Sequence, residues 1–141
     1  MYKIFLDSDV VISSLISSIG ASYQLINSKA TVSFISDISY RELVLVIKRL
    51  NLAENKLKIL TKKKIKIFKL KKSLNQIKLD YKDCVKDIND AHIITGAVES
   101  KAGFLITYNI RHFEINKIKE KYRIQVMTPG TFLQYLRSKR G

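Results

Sequence analysis

Residues that staple or break small domains are scarce in this chain. A single cysteine, Cys84, excludes an internal disulfide framework and any zinc cage built on thiolates. One proline and five glycines, in 141 residues of which 46% are hydrophobic, leave little material for a disordered segment. No apolar run approaches the roughly 18 residues needed to cross a bilayer. The N-terminal stretch from Met1 to Asp7 meets a charge too early for a secretory leader. These absences lead us to expect a soluble, cytoplasmic, one-domain protein over residues 1–141, with a frayed basic tail at 137–141 and no membrane partner. Acids are in short supply too: 12 Asp and Glu face 26 Lys and Arg, a net charge of +14. Such an excess points to a polyanion, with nucleic acid ahead of an acidic protein or a membrane surface. Nucleotide bias that enriches Lys, Ile and Asn together accounts for the same number, so charge alone does not assign a function.

Several chemistries also lack their residues. There is no Gly-rich phosphate loop, no H-E-x-x-H and no G-x-S-x-G. Of the two histidines, His92 falls on what periodicity marks as the polar side of its helix, where solvation accounts for it. Cys84 has no partner that would make it a nucleophile and reads as a small buried side chain.

What is present is an alternation of strands and helices. Residues 2–6 read as a first strand, followed by Asp7-Ser8-Asp9 and a helix over 10–19, capped by Ser8 or Asp9. Residues 21–28 read as a short helix and 31–35 as a second strand. Ser39 and Glu42 have the spacing of a capping box opening a helix through Leu50. The lysine-rich segment 53–73 reads as one or two amphipathic helices, although 64–70 alternates as a strand does. Asp90 opens a helix that stops near Ala102-Gly103, and at about 100° per residue it falls among the apolar positions Ala91, Ile94, Ala97 and Val98. Residues 104–106 form a buried strand, 112–121 a short helix and 124–127 a last strand, with Thr128-Pro129 starting a helix to Leu136. This order predicts a three-layer α/β/α sandwich with a mostly parallel central sheet.

In such sheets the site lies beyond the carboxyl ends of the strands. Asp7, Asp9 and Asn109 sit at strand ends by this reading, and Glu42 and Asp90 at helix starts. Each has an ordinary role open to it: turn, cap or capping box. Asp87 or Asn89 can cap the helix that Asp90 opens, leaving Asp90 free. Together they describe carboxylates at one sheet edge, which repel one another unless a hard cation such as Mg²⁺ or Mn²⁺ joins them. Carboxylates, metal and a basic surface combine naturally into a hydrolytic nuclease.

The motifs resemble a PIN domain of the kind found in VapC-type toxins. The resemblance covers Phe5-Leu6-Asp7-Ser8-Asp9-Val10-Val11-Ile12, where the family typically has Asp-Thr-Asn, then Ser39 with Glu42, and Asp90-Ala91-His92-Ile93-Ile94 with Ala97. It continues through Leu105-Ile106-Thr107-Tyr108-Asn109-Ile110-Arg111-His112-Phe113 and Met127-Thr128-Pro129-Gly130-Thr131-Phe132-Leu133. It implies an Mg²⁺- or Mn²⁺-dependent ribonuclease, with Asp7, Glu42 and Asp90 binding metal and activating water. Asn109 occupies the fourth position, where many members carry Asp, and supplies an amide oxygen but no charge. Asp9 is then expected to restore the missing charge, Asp87 to stand behind the site, and Thr107 to orient the carboxylates. Lys62, Lys63, Lys64, Lys66, Lys69 and Arg111 are expected to grip RNA. The resemblance further implies a homodimer and an antitoxin protein as partners. The rival implied by Asn109 is a PIN-fold RNA-binding or scaffold protein without catalysis. A basic DNA-binding regulator has no helix-turn-helix or basic-zipper pattern to support it.

Overall fold

The alternation of elements resolves into five parallel strands with helices on both faces. The computed structural model describes residues 1–140. The strands are β1 (Tyr2–Leu6), β2 (Thr31–Ser36), β3 (Ile65–Phe68), β4 (Phe104–Ile106) and β5 (Gln125–Met127), ordered β3-β2-β1-β4-β5. Every neighbouring pair is parallel, with Leu6 registered against Ile106 and Ser36 against Phe68. Parallel strands need crossovers, and the helices supply them: α1 (Ser8–Ile16), α2 (Ala21–Ile26), α3 (Asp37–Arg49), α4 (Glu54–Lys63), α5 (Leu74–Tyr81), α6 (Ala91–Glu99), α7 (Ile115–Tyr122) and α8 (Pro129–Arg140).

Strand alternation sorts the core into two halves. Ile4 and Leu6 of β1, with Ile35, Phe104 and Ile106, pack against Val10, Leu25, Leu43, Leu57 and Phe132 on one face. Phe5 and Leu105 turn the other way, onto Ile77, Ala91, Ile94 and Ala97. Each such side chain contributes about 1.5–3 kcal/mol on full burial, so both layers are anchored through β1 and β4. Gly96 makes the second layer possible. A Cβ there would stand 2.2 Å from Cζ of Phe5, so only glycine lets α6 lie this close to β1.

Several boundaries differ from the sequence reading. Helix α1 starts at Ser8 and ends at Ile16, three residues before the expected Ile19, and its cap is Asp7, whose carboxylate accepts from the Ser8 N–H at 2.7 Å. Helix α3 is capped by Ser36, which accepts from the Ser39 N–H at 3.0 Å. The Ser39–Glu42 capping box therefore does not form, and Glu42 has no capping duty. The segment around residue 66 is the edge strand β3, because Ile65 finds the core beside β2. Helix α6 stops at Glu99, with Lys101 in the left-handed region (φ 60°). The expected helix over 112–121 starts later, at Ile115, behind a 3₁₀ turn over Ile110–His112. Helix α8 continues through Arg140, which places 137–140 of the expected frayed tail inside it, and Gly141 lies outside the described residues. Among the described residues, no helix is long and apolar enough to cross a membrane.

Candidate active site

Chain order reverses at the centre of this sheet. The chain steps from β1 outward to β3, then returns to the other side of β1 to form β4 and β5. At such a switch point the loops leaving neighbouring strands diverge and open a crevice beyond their carboxyl ends. The residues that follow β1 and β4 stand there. The Asp7 N–H extends the β4 ladder to the Ile106 carbonyl at 2.9 Å. Its second carboxylate oxygen, Oδ2, accepts from the Thr107 hydroxyl at 2.8 Å. Asp9, in the first turn of α1, accepts through Oδ2 from the Tyr108 N–H at 3.1 Å and from Nδ2 of Asn109 at 3.0 Å. Its other oxygen, Oδ1, is buried with no hydrogen-bond partner. Thr107 in turn accepts from the Asn109 N–H at 3.0 Å, so one hydroxyl ties the β4 turn to the β1 carboxylate.

Two helices bring the remaining acids. Glu42 lies in the second turn of α3 with its side chain half exposed, and its Oε1 is 3.1 Å from Nε2 of His92. Asp90 ends a 3₁₀ turn immediately before α6, where it makes no capping bond. Asp87 caps the 3₁₀ turn itself by accepting from the Asn89 N–H at 3.0 Å, so the Asp90 carboxylate is tied to neither helix start. The Asp90 carboxylate faces Nδ1 of His112 across 3.7 Å.

His92 corrects the sequence reading outright. It is 7% exposed, because α6 has no solvated side: residues Ala91 through Ala97 are all buried between the sheet and α5. The ring therefore had to find a polar partner, and Glu42 is that partner. Sequence reasoning also passed over His112 and Tyr108. The Tyr108 hydroxyl meets Ser22 at 2.7 Å and Ser13 at 3.3 Å, joining the β4 turn to α1 and α2. No helical spacing marks His92, since residues two apart on a helix point to different faces.

Burial sets the electrostatics. It raises the Asp7 carboxyl above its ordinary range, against the pull of the Thr107 and Ser8 hydrogen bonds, with the Glu42 charge adding to the rise. Burial and the Asp7 charge push Asp9 up to about 6. Asp90 is raised as well, by burial first and then by Asp7 and Asp87. Asp7 is thus common to all three environments. Burial also pushes the Cys84 thiol up, the opposite of what a nucleophile needs.

The sequence matches the PIN domain family over residues 3–111. The chain belongs to the PIN domain family. Solved structures share its fold: VapBC2 from Rickettsia felis, bound to a DNA fragment from its promoter, superposes with a TM-score of 0.65 at 18% identity, covering 89% of this chain and 98% of that one. A toxin–antitoxin complex from Klebsiella pneumoniae does so with a TM-score of 0.63 at 20% identity, covering 89% and 97%. No functionally curated protein matches the sequence.

In this PIN domain the expected basic residues divide between two edges. Lys69 follows the carboxyl end of β3, and Arg111 lies in the turn after Asn109, both exposed on the side of the acids. Lys62 and Lys63 end α4 and Lys64 precedes β3, which places them at the opposite edge of the sheet. Lys66 projects from the exposed edge strand between them. As to metal, no three acidic, His or Cys side chains among the described residues form a ready-made cage. The PIN domain's donors are carboxylate oxygens, one of them buried and unpartnered, at carboxyls whose charge is disfavoured. That set fits a hard cation held by one or two carboxylates and completed by water, and it does not fit a closed protein cage.

Proposed function

We propose that this PIN domain is a divalent-metal-dependent endoribonuclease, the toxin of a toxin–antitoxin pair. The observation that carries the reading is the gathering of Asp9, Glu42 and Asp90 around Asp7 at the strand switch point, with His92 beside Glu42 and His112 beside Asp90. Asp7 and Asp90 would be the principal holders of Mg²⁺ or Mn²⁺, with Glu42 positioning the metal or its water, and both ions prefer oxygen donors. When bound, such an ion stabilises charge on a phosphate and makes water acidic enough to attack it. The chain's own groups do the rest. Thr107 fixes the Asp7 carboxylate through its hydroxyl, while Tyr108 and Asn109 fix Asp9. Through its contact with His92, Glu42 is oriented to accept a proton from the attacking water. Lys69 and Arg111 take the RNA backbone at this edge, and Lys62, Lys63, Lys64 and Lys66 extend the track around the sheet.

The fold also offers an antitoxin a seat. A groove of about 400 Å³ opens between α1, α2 and α4, lined by Leu15, Ile16, Tyr23, Ile59 and Leu60, with Lys56 and Lys63 beside them. An amphipathic, acidic segment fits that combination. The two solved structures named above are toxin–antitoxin complexes. A homodimer belongs to the same reading, and light scattering of the purified chain tests it.

The decisive experiment is digestion of total cellular RNA with Mg²⁺ or Mn²⁺ by the wild type and by Asp90→Asn. The variant is expected to lose at least about 100-fold in rate, and EDTA to abolish cleavage by the wild type. Equal cleavage by both proteins sinks the reading. One observation favours a second reading, an RNA-binding protein without catalysis: the Asn109 amide turns its nitrogen to Asp9 and adds no charge. Tight RNA binding without turnover at any metal would select it.

A further inference from the structure

Beside Glu42 lies a recess of about 290 Å³ that the acidic cluster does not use. Ile38 of α3, Leu74 and Ile77 of α5, and Ile88 ahead of α6 give it aliphatic walls. Leu74 and Ile88 remain 55% and 38% exposed. The other lining groups are polar: Glu42, Lys78, Asn89 and His92. Pockets for drug-sized ligands run from roughly 300 to 1,000 Å³, so this recess has room for one planar heterocycle and little more. Apolar walls with a few convergent polar groups are how proteins take up an unstacked base of single-stranded RNA, gripping its faces and reading its edge.

The polar groups suit that ligand one by one. The Asn89 amide offers a donor and an acceptor side by side, the pattern that pairs with a base edge. Lys78, in the last turn of α5, supplies charge for a flanking phosphate. His92 is more than nine-tenths buried, and its Nδ1 has no hydrogen-bond partner, a state that costs free energy unless something else meets it. Its other nitrogen contacts Glu42, so recess and acidic cluster share a wall.

We propose that this recess binds the base of a nucleotide adjacent to the scissile phosphate of single-stranded RNA, with Asn89 reading the base edge. The proposal rests on the ribonuclease reading and gives it a source of sequence preference. A base seated between α3, α5 and α6 fixes which phosphate lies over Asp7 and Asp90.

The test measures binding and leaves cleavage aside. Fluorescent ten-nucleotide homopolymers of A, C, G and U are titrated onto the full chain in EDTA, read by anisotropy. The wild type is expected to separate its best and worst homopolymer by roughly tenfold or more, the scale of a good base-edge contact. Asn89→Ala, at an exposed position, should shrink that spread to within about threefold, and Leu74→Ala should weaken the preferred homopolymer most. Joint replacement of Lys62, Lys63 and Lys64 by Ala should weaken all four alike and keep the spread. An unchanged spread in both Asn89→Ala and Leu74→Ala overturns the pocket, as does a wild type that binds all four equally. Failure to bind any RNA in EDTA overturns the pocket too, and each of these results leaves the ribonuclease reading to the Asp90→Asn assay.

Discussion

The Asp9 carboxyl is hydrogen-bonded through one oxygen only, and burial together with the Asp7 charge lifts its pKa from 3.8 to about 6. Between those values the folded protein keeps a proton that the unfolded chain has already released. Stability therefore falls as pH rises from about 4 to about 6, and above that range the loss is fully present. Asp7 and Asp90, also raised, act in the same direction. Asp9→Asn keeps an acceptor oxygen for the Tyr108 N–H and removes the charge. In EDTA its melting temperature should exceed that of the wild type at neutral pH, and the difference should close near pH 4. Thermal melts across that range check this, and a variant that melts lower than the wild type at neutral pH contradicts it. For the same reason Mn²⁺ should raise the wild-type melting temperature more at neutral pH than near pH 4, because only the ionised carboxylates bind it.

At the scale of the element, α6 explains both what the sequence disclosed and what it concealed. Its apolar positions, its acidic start and the strand after it were all legible, and they put Asp90 beside Asp7. His92 was not, because periodicity assumes one solvated side, and α6 has helix α5 where water would be. The capping box failed for a related reason. Ser36 and Ser39 are both suitable caps at the right spacing, and the end of β2 selects Ser36 by delivering it to the helix start. Strand β3 is four residues long and lysine-bearing; its segment alternates as a strand does inside an otherwise helical stretch, and pairing with β2 decides between the two. The closeness of α6 to β1 has a measurable cost if it is disturbed. Gly96→Ala places a methyl group within the Phe5 ring, which is fully buried and has no room to swing aside. We expect a loss of about 1–3 kcal/mol in urea unfolding, despite the better helix propensity of alanine. A stabilised variant would mean that α6 can shift without penalty.

At the scale of the whole molecule, the net charge of +14 is spread around the sheet rather than concentrated over the acids. Composition announced the charge but could not divide it; that division follows from β3 being parallel to β1, which sends Lys64 and Lys69 to opposite edges. Short and long RNA should therefore respond differently. Joint replacement of Lys62, Lys63 and Lys64 by Ala is expected to lower affinity for long RNA and flatten its salt dependence, by about 0.7 in slope for each phosphate no longer neutralised. Hydrolysis of a dinucleotide, too short to reach beyond the edge bearing Lys69 and Arg111, should be unaffected. Equal effects on both lengths would mean that the far edge is not part of the track.

The hydrogen bond from Thr107 to Asp7 spans 100 residues of sequence, and the Asn109 bond to Asp9 spans the same distance. During synthesis the two aspartates emerge a hundred residues ahead of the groups that hold them. Until β4 docks against β1, a ribosome-bound chain carries its acids without the hydroxyl and amide that arrange them. Contacts of such long range are also the slow ones to form. Assembly of the acidic cluster is thus a late event in the life of each new molecule, and any product terminated before β4 is born without it.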